Sequence, residues 1–159
     1  MNPDSALAHR LQFLARVLRK ESQHLSATDQ RLFVNGFTVE HVARLETDPD
    51  LAERVEAFVG RFGRLQDSIG DKLLPALLTA LGEKPSALID NLDRAERLGF
   101  IHSAEQWLTM RQLRNQMIHE YIEDPAVLTD ALQAGHDFVP ILTATAQRII
   151  VEMEHRAWI

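Results

Sequence analysis

Within the eight residues from Arg114 to Tyr121, the chain brings together a permanent cation, an amide, an imidazole and a phenol. Arg114 cannot lose its charge and offers a planar fork of N–H donors, which suits an oxygen-rich anion such as phosphate. Asn115 beside it adds a neutral hydrogen bond, and Arg111 one turn earlier adds a second cation. His119 supplies an imidazole, the side chain best suited to take a proton from a hydroxyl or return one to a leaving oxygen near neutral pH. Such a set suits proton transfer beside a phosphoryl group whose negative charge grows in the transition state.

Helical geometry constrains how these side chains can act. At 100° per residue, Arg111, Gln112, Asn115, Gln116 and His119 share a polar arc, and Trp107, Met110, Leu113, Met117, Ile118 and Tyr121 form the apolar one. Arg114 falls inside the apolar arc, so it must find a carboxylate, a phosphate or a route to water. One reading is structural: Arg114 lays its stem along the core and pairs with an acidic neighbour such as Glu96 or Asp71. His119 is then a solvated helical histidine and Tyr121 a packed aromatic with its hydroxyl at the rim. Arg114 and His119 stand about 140° apart on a straight helix, so one copy of the helix does not aim both at one point.

A second constellation has a different chemistry. Glu21-x-x-His24 and Glu152-x-x-His155 repeat the Glu-x-x-His spacing of di-metal carboxylate bundles, which leaves that class as a remote alternative. The pairs lie at a helix end and near the C-terminus, whereas such ligands should project from mid-helix into the core, so no metal is expected. His9, His41, His102 and His136 have no ligand spacing, although His102 sits beside the start of the signature helix. No nucleophile elbow and no glycine-rich phosphate loop are present, and no cofactor is expected.

Apolar residues recur at three and four along the chain, which predicts an all-α fold of about five helices joined by short connections, an up-and-down bundle. The first helix starts at Asp4 or Ser5 and is expected to end around His24 to Ser26, because Ser26-Ala27-Thr28-Asp29 reads as a new cap. Residues 27–48 should hold a short helix and a turn at Asn35-Gly36. A long helix opens after Asp48-Pro49-Asp50, and Pro75 should kink or divide it. Gly82-Glu83-Lys84-Pro85 and Leu98-Gly99 bracket the next helix. Ser103 and Gln106 form a capping box for the signature helix, about residues 103–121. The last helix runs from Pro125 to about Glu154, with interruptions expected near Gly135 and Pro140.

At 159 residues, with 45% hydrophobic and 25% charged residues, the chain reads as one globular domain over 1–159, the N-terminal helix and residues 27–48 forming an extension. It contains no Cys, which removes disulfides and thiolate chemistry and fits a reducing compartment. The N-terminus is acidic and no apolar run approaches a membrane span, so a cytoplasmic place away from the membrane is expected. The net charge of -6 argues against broad electrostatic binding of nucleic acid. Residues 94–121 are milder, with four arginines against three glutamates.

Taken together, Arg114-x4-His119-x-Tyr121, with Asn115 directly after the arginine, resembles the HEPN superfamily and in particular its HepT-like ribonuclease toxins. The likeness extends to Leu92 through Ile101, to Ser103 through Trp107, and to Phe62-Gly63-Arg64-Leu65-Gln66-Asp67 upstream. The resemblance implies a homodimer whose signature helices meet in a composite cleft, with Arg114 and His119 catalytic and Arg111 and Asn115 binding substrate. It implies metal-independent endoribonuclease activity on RNA in a toxin–antitoxin pair. It also implies a nucleotidyltransferase antitoxin that adenylylates Tyr121 and so neutralises the toxin. Related helical proteins resemble non-catalytic binding subunits of small nucleotidyltransferases, which is the principal alternative.

Overall fold

A computed structural model describes residues 2–119 and 123–159. Among them the secondary structure is entirely helical: α1 (Ser5–Phe33), α2 (Val39–Ala43), α3 (Pro49–Asp67), a π-helical segment (Ser68–Leu73), α4 (Leu74–Ala80), α5 (Leu88–Arg97), α6 (Ala104–His119) and α7 (Pro125–His155). Because α3, the π segment and α4 run on without a break, the described residues form six rods, the five long ones expected and the short α2.

Local chemistry sets most of the helix ends. Carboxylates occupy three N-caps: Asp4 accepts the Leu7 N–H at 2.8 Å, Asp48 that of Leu51 at 3.1 Å, and Asp124 those of Ala126 and Val127 at 3.0 and 3.4 Å. Pro49 and Pro125 follow their caps at the first helical position, where no N–H is needed. Gly82 and Gly99 close α4 and α5 with φ of 81° and 82°, a left-handed conformation that costs glycine little. The N–H groups of Glu83 and Phe100 then reach back to the carbonyls of Leu78 and Ala95.

Four long rods pack in the cyclic order α1, α3, α6, α7, and each runs antiparallel to its neighbours. Arg61 bonds the His24 carbonyl across α3 and α1, Trp107 and Arg114 of α6 lie against Gly70 of the π segment and Gly63 of α3, and Gly135 meets Met117 across α7 and α6. Arg19 and Glu154 join at 2.7 Å across α1 and α7. The shared core contains Leu11, Leu18, Phe58, Phe62, Trp107 and Ile149, all nearly or fully inaccessible to solvent. No helix among the described residues is long and apolar enough to cross a membrane.

Three boundaries differ from the sequence expectation, each for a packing reason. α1 does not end at His24 to Ser26 but continues to Phe33, because Leu25, Thr28 and Leu32 are buried against the neighbouring rods. Thr28 and Asp29 do not cap a new helix; they bond Arg61 and His136 instead. Pro75 does not divide its helix. The π segment before it widens the turn, with the Leu74 N–H donating five residues back to Ile69, and this relieves the clash between the proline ring and the preceding turn.

α7 likewise runs through Gly135 and Pro140 without a break. Its burial on both sides of the proline, at Leu132, Val139, Leu142 and Ala146, outweighs the roughly 3 kcal/mol that an interior proline costs. Gly135 serves contact rather than flexibility. A Cβ there would sit 3.2 Å from both Met117 Sδ and Phe58 Cε1.

Candidate functional site on α6

α6 starts under two restraints from outside its own ladder. The Ser103 hydroxyl accepts the Gln106 N–H at 3.1 Å, and the Glu96 carboxylate of α5 accepts the Ala104 N–H at 2.9 Å. Ala104, Trp107, Met110, Leu113 and Met117 are buried, so the apolar arc is seated against the core and its rotation is fixed. Ile118, at the edge of that arc, remains half exposed.

This seating carries Arg114 onto α3. Its Nη1 donates to Asp67 Oδ1 at 2.5 Å, and its stem lies across Gly63, where an added Cβ would come within 2.7 Å of Arg114 Nε. Neither expected carboxylate takes this role. Asp71 stands one turn further along, facing Arg111 at 3.5 Å, and Glu96 is the α6 cap. The antiparallel arrangement of α3 and α6 produces this pairing, matching Asp67 to Arg114 and Asp71 to Arg111.

The two pairs have different weights. Arg114 and Asp67 are 28% and 35% exposed at the side chain and close together, a charge-assisted bond with part of its hydration removed. Arg111 and Asp71 are more open and longer, and such pairs contribute little. Arg111 is therefore the more readily released to an incoming anion.

Arg114 also borders an open cleft of about 350 Å³ between α3 and α6, lined by Glu56, Val59, Gly60, Gly63, Met117 and Ile118. Gly60 leaves the cleft unobstructed, since a Cβ there would touch nothing. The remaining site residues fall elsewhere. Asn115 and His119 are exposed on the outer face of α6, and neither lines this cleft. Tyr121 lies outside the described residues.

Behind the ion pair, burial pushes the Glu21 carboxyl above its ordinary pKa of 4.5, while the Ser68 hydroxyl and the Arg64 and Lys72 charges pull it down. Glu21 Oε2 is buried without a hydrogen-bond partner among the described residues. Glu152, in the other Glu-x-x-His pair, accepts from Arg156 Nε at 2.7 Å. Among the described residues no three His, Asp or Glu side chains converge on a point that could hold a metal ion.

Sequence reasoning missed the roles of Asp67, Gly63 and Glu56. A signal was present in Gly60 and Gly63, two glycines three apart inside a helix where each costs about 1 kcal/mol relative to alanine. At Gly63 that cost marks the close approach of Arg114, while at Gly60 a Cβ would meet nothing. Comparison with family models, curated proteins and solved structures finds no match to this chain.

Proposed function

We propose that this chain is a HEPN-type, HepT-like toxin, a metal-independent endoribonuclease that acts as a homodimer. The observation that carries this reading is an arginine set in the apolar arc of the signature helix and held by Asp67 at the wall of an open cleft, five residues before an exposed histidine. Within one chain His119 lies outside the Arg114 cleft, so a second α6 brought against the first supplies the missing approach.

In the proposed reaction, His119 Nε2 or Nδ1 takes the proton from a ribose 2′-OH. The O2′–P bond forms, the P–O5′ bond breaks, and the departing oxygen is protonated, leaving a 2′,3′-cyclic phosphate and a 5′-OH end. Arg114 stabilises the growing phosphoryl charge, with Asn115 and Arg111 as further donors. Adenylylation of Tyr121 by a nucleotidyltransferase antitoxin would add a bulky anion two residues after His119 in the sequence and oppose RNA phosphate by repulsion and volume. A cytoplasmic location follows from that pairing.

The test is cleavage of RNA by the purified chain in the presence of EDTA. Arg114→Ala and His119→Ala are each expected to reduce the rate about 100-fold or more. Light scattering is expected to report a dimer, and a monomer sinks the composite site. A second reading, a non-catalytic binding subunit of a nucleotidyltransferase, is favoured by the separation of His119 from the Arg114 cleft. A folded dimer that binds such a partner and leaves RNA intact would establish it.

A further inference from the structure

On the opposite flank of α3, a second cleft of about 430 Å³ opens between α3 and α1, and three arginines converge on it. Arg31 and Thr28 come from α1, Arg54 and Arg61 from α3, and Asp50 and Glu53 form part of the rim. Among the described residues none of the three guanidinium groups has a carboxylate within 4.0 Å, although two carboxylates line the same cleft.

Arg61 is the ordered member. Its Nη1 donates both to the His24 carbonyl at 3.2 Å and to the Thr28 hydroxyl, a side chain that is itself only 6% exposed. Nε and Nη2 have no acceptor among the described residues, so the fork is fixed in place with two donors free. Ordering of this kind lowers the entropy lost when an anion binds. Arg31 and Arg54 stand exposed on either side of it, one from each helix.

We propose that this α1/α3 cleft binds a phosphate group, with Arg61 as the fixed bidentate donor and Arg31 and Arg54 as the flanking cations. Arginine's planar fork matches two phosphate oxygens, and three arginines against two carboxylates leave the cleft cationic in a chain whose net charge is -6. The phosphate is a phosphodiester of an RNA strand running past the α6 site, which rests on the ribonuclease reading, or the phosphate of a free nucleotide, which does not. Glu53 opposes binding by repulsion and limits it to ligands that reach Arg61.

Two probes separate the sources: a short fluorescent single-stranded oligoribonucleotide, read by anisotropy at two salt concentrations, and adenosine monophosphate, read by calorimetry. Both use the 159-residue chain carrying His119→Ala, so that RNA stays intact. Arg31→Ala with Arg54→Ala, both at exposed positions, is expected to weaken binding about tenfold and to reduce the RNA salt slope by about 1.4. Glu53→Gln is expected to tighten binding about two- to fivefold, a gain that a merely structural role for the cleft would not produce. Loss confined to the RNA probe identifies a strand contact, and loss with adenosine monophosphate identifies a nucleotide site. Absence of binding by either probe, or affinities unchanged in the double variant with its helical circular dichroism intact, overturns the proposal. Cleavage by the His119-containing protein is scored separately, so failure of this cleft leaves the α6 reading standing, and failure of cleavage leaves the phosphate site standing.

Discussion

α3 carries a cleft on each flank, and the arginines there are held in opposite ways. Towards α6, Arg114 is tied to Asp67 at 2.5 Å and walled by Val59, Met117 and Ile118. Towards α1, Arg61 is tied only to a carbonyl and a hydroxyl, and Arg31 and Arg54 have no carboxylate within 4.0 Å among the described residues. The first arrangement positions one cation against an apolar surface with its field partly neutralised by Asp67. The second leaves charge unneutralised and open to solvent. A site for chemistry on a single phosphoryl group benefits from the former, because a fixed donor needs no reorganisation, while attraction of an anion benefits from the latter.

Removing the common wall should disturb both flanks together. Phe62 is fully buried on α3 next to Gly63, and Phe62→Ala is expected to cost about 3–5 kcal/mol, read by urea denaturation. A much smaller loss would mean that α3 is not the rigid partition described.

Gly63→Ala should separate the flanks. Its new methyl would occupy the path of the Arg114 stem, so the guanidinium must leave Asp67, whereas the α1/α3 cleft contains no atom of Gly63. RNA cleavage is expected to fall about tenfold or more, and phosphate binding at the α1/α3 cleft to be unchanged. Thermal stability should move little, since the helical preference for alanine offsets the displaced pair. Equal losses at both clefts would remove the distinction between them.

The smallest expected effect is on pH dependence. Glu21, on α1 and close to Ser68 and Asp67, has its folded pKa raised above 4.5, so the folded state binds its proton more tightly than the unfolded chain does. Its contribution to stability is therefore full below 4.5 and is lost as pH rises through the higher folded value. Glu21→Gln keeps the neutral shape and should flatten this portion of a stability-versus-pH profile measured by denaturant titration. An unchanged slope would show that Glu21 meets water more freely than its buried oxygen implies.

The two flanks were unequally legible beforehand. Periodicity and caps locate α3, α5, α6 and α7 to within a few residues, because Asp48-Pro49, Leu98-Gly99, Ser103 and Asp124-Pro125 act on the backbone next to them. The same local reading ends α1 too early at Ser26-Ala27-Thr28-Asp29, since burial of Leu25, Thr28 and Leu32 is a property of the neighbouring rods. That error hid the α1/α3 cleft, which is built partly from the last turns of α1. Arg114 was conspicuous as a cation in an apolar arc, but its partner was not, because a carboxylate 47 residues away becomes a neighbour only through packing.

By itself the sequence determined the helical class, the starts of α1, α3, α6 and α7, and the presence of Arg114, Asn115 and His119 on one rod, all consequences of short-range spacing and backbone hydrogen bonding. Tertiary structure alone decided that Asp67 rather than Glu96 or Asp71 holds Arg114, that Gly63 makes room for it, that Pro75 and Pro140 lie within unbroken rods, and that Arg31, Arg54 and Arg61 share a cleft. The physical reason is that these pairings depend on the relative rotation and offset of whole helices, which are set by the summed burial of their apolar faces and not by any residue's immediate neighbours.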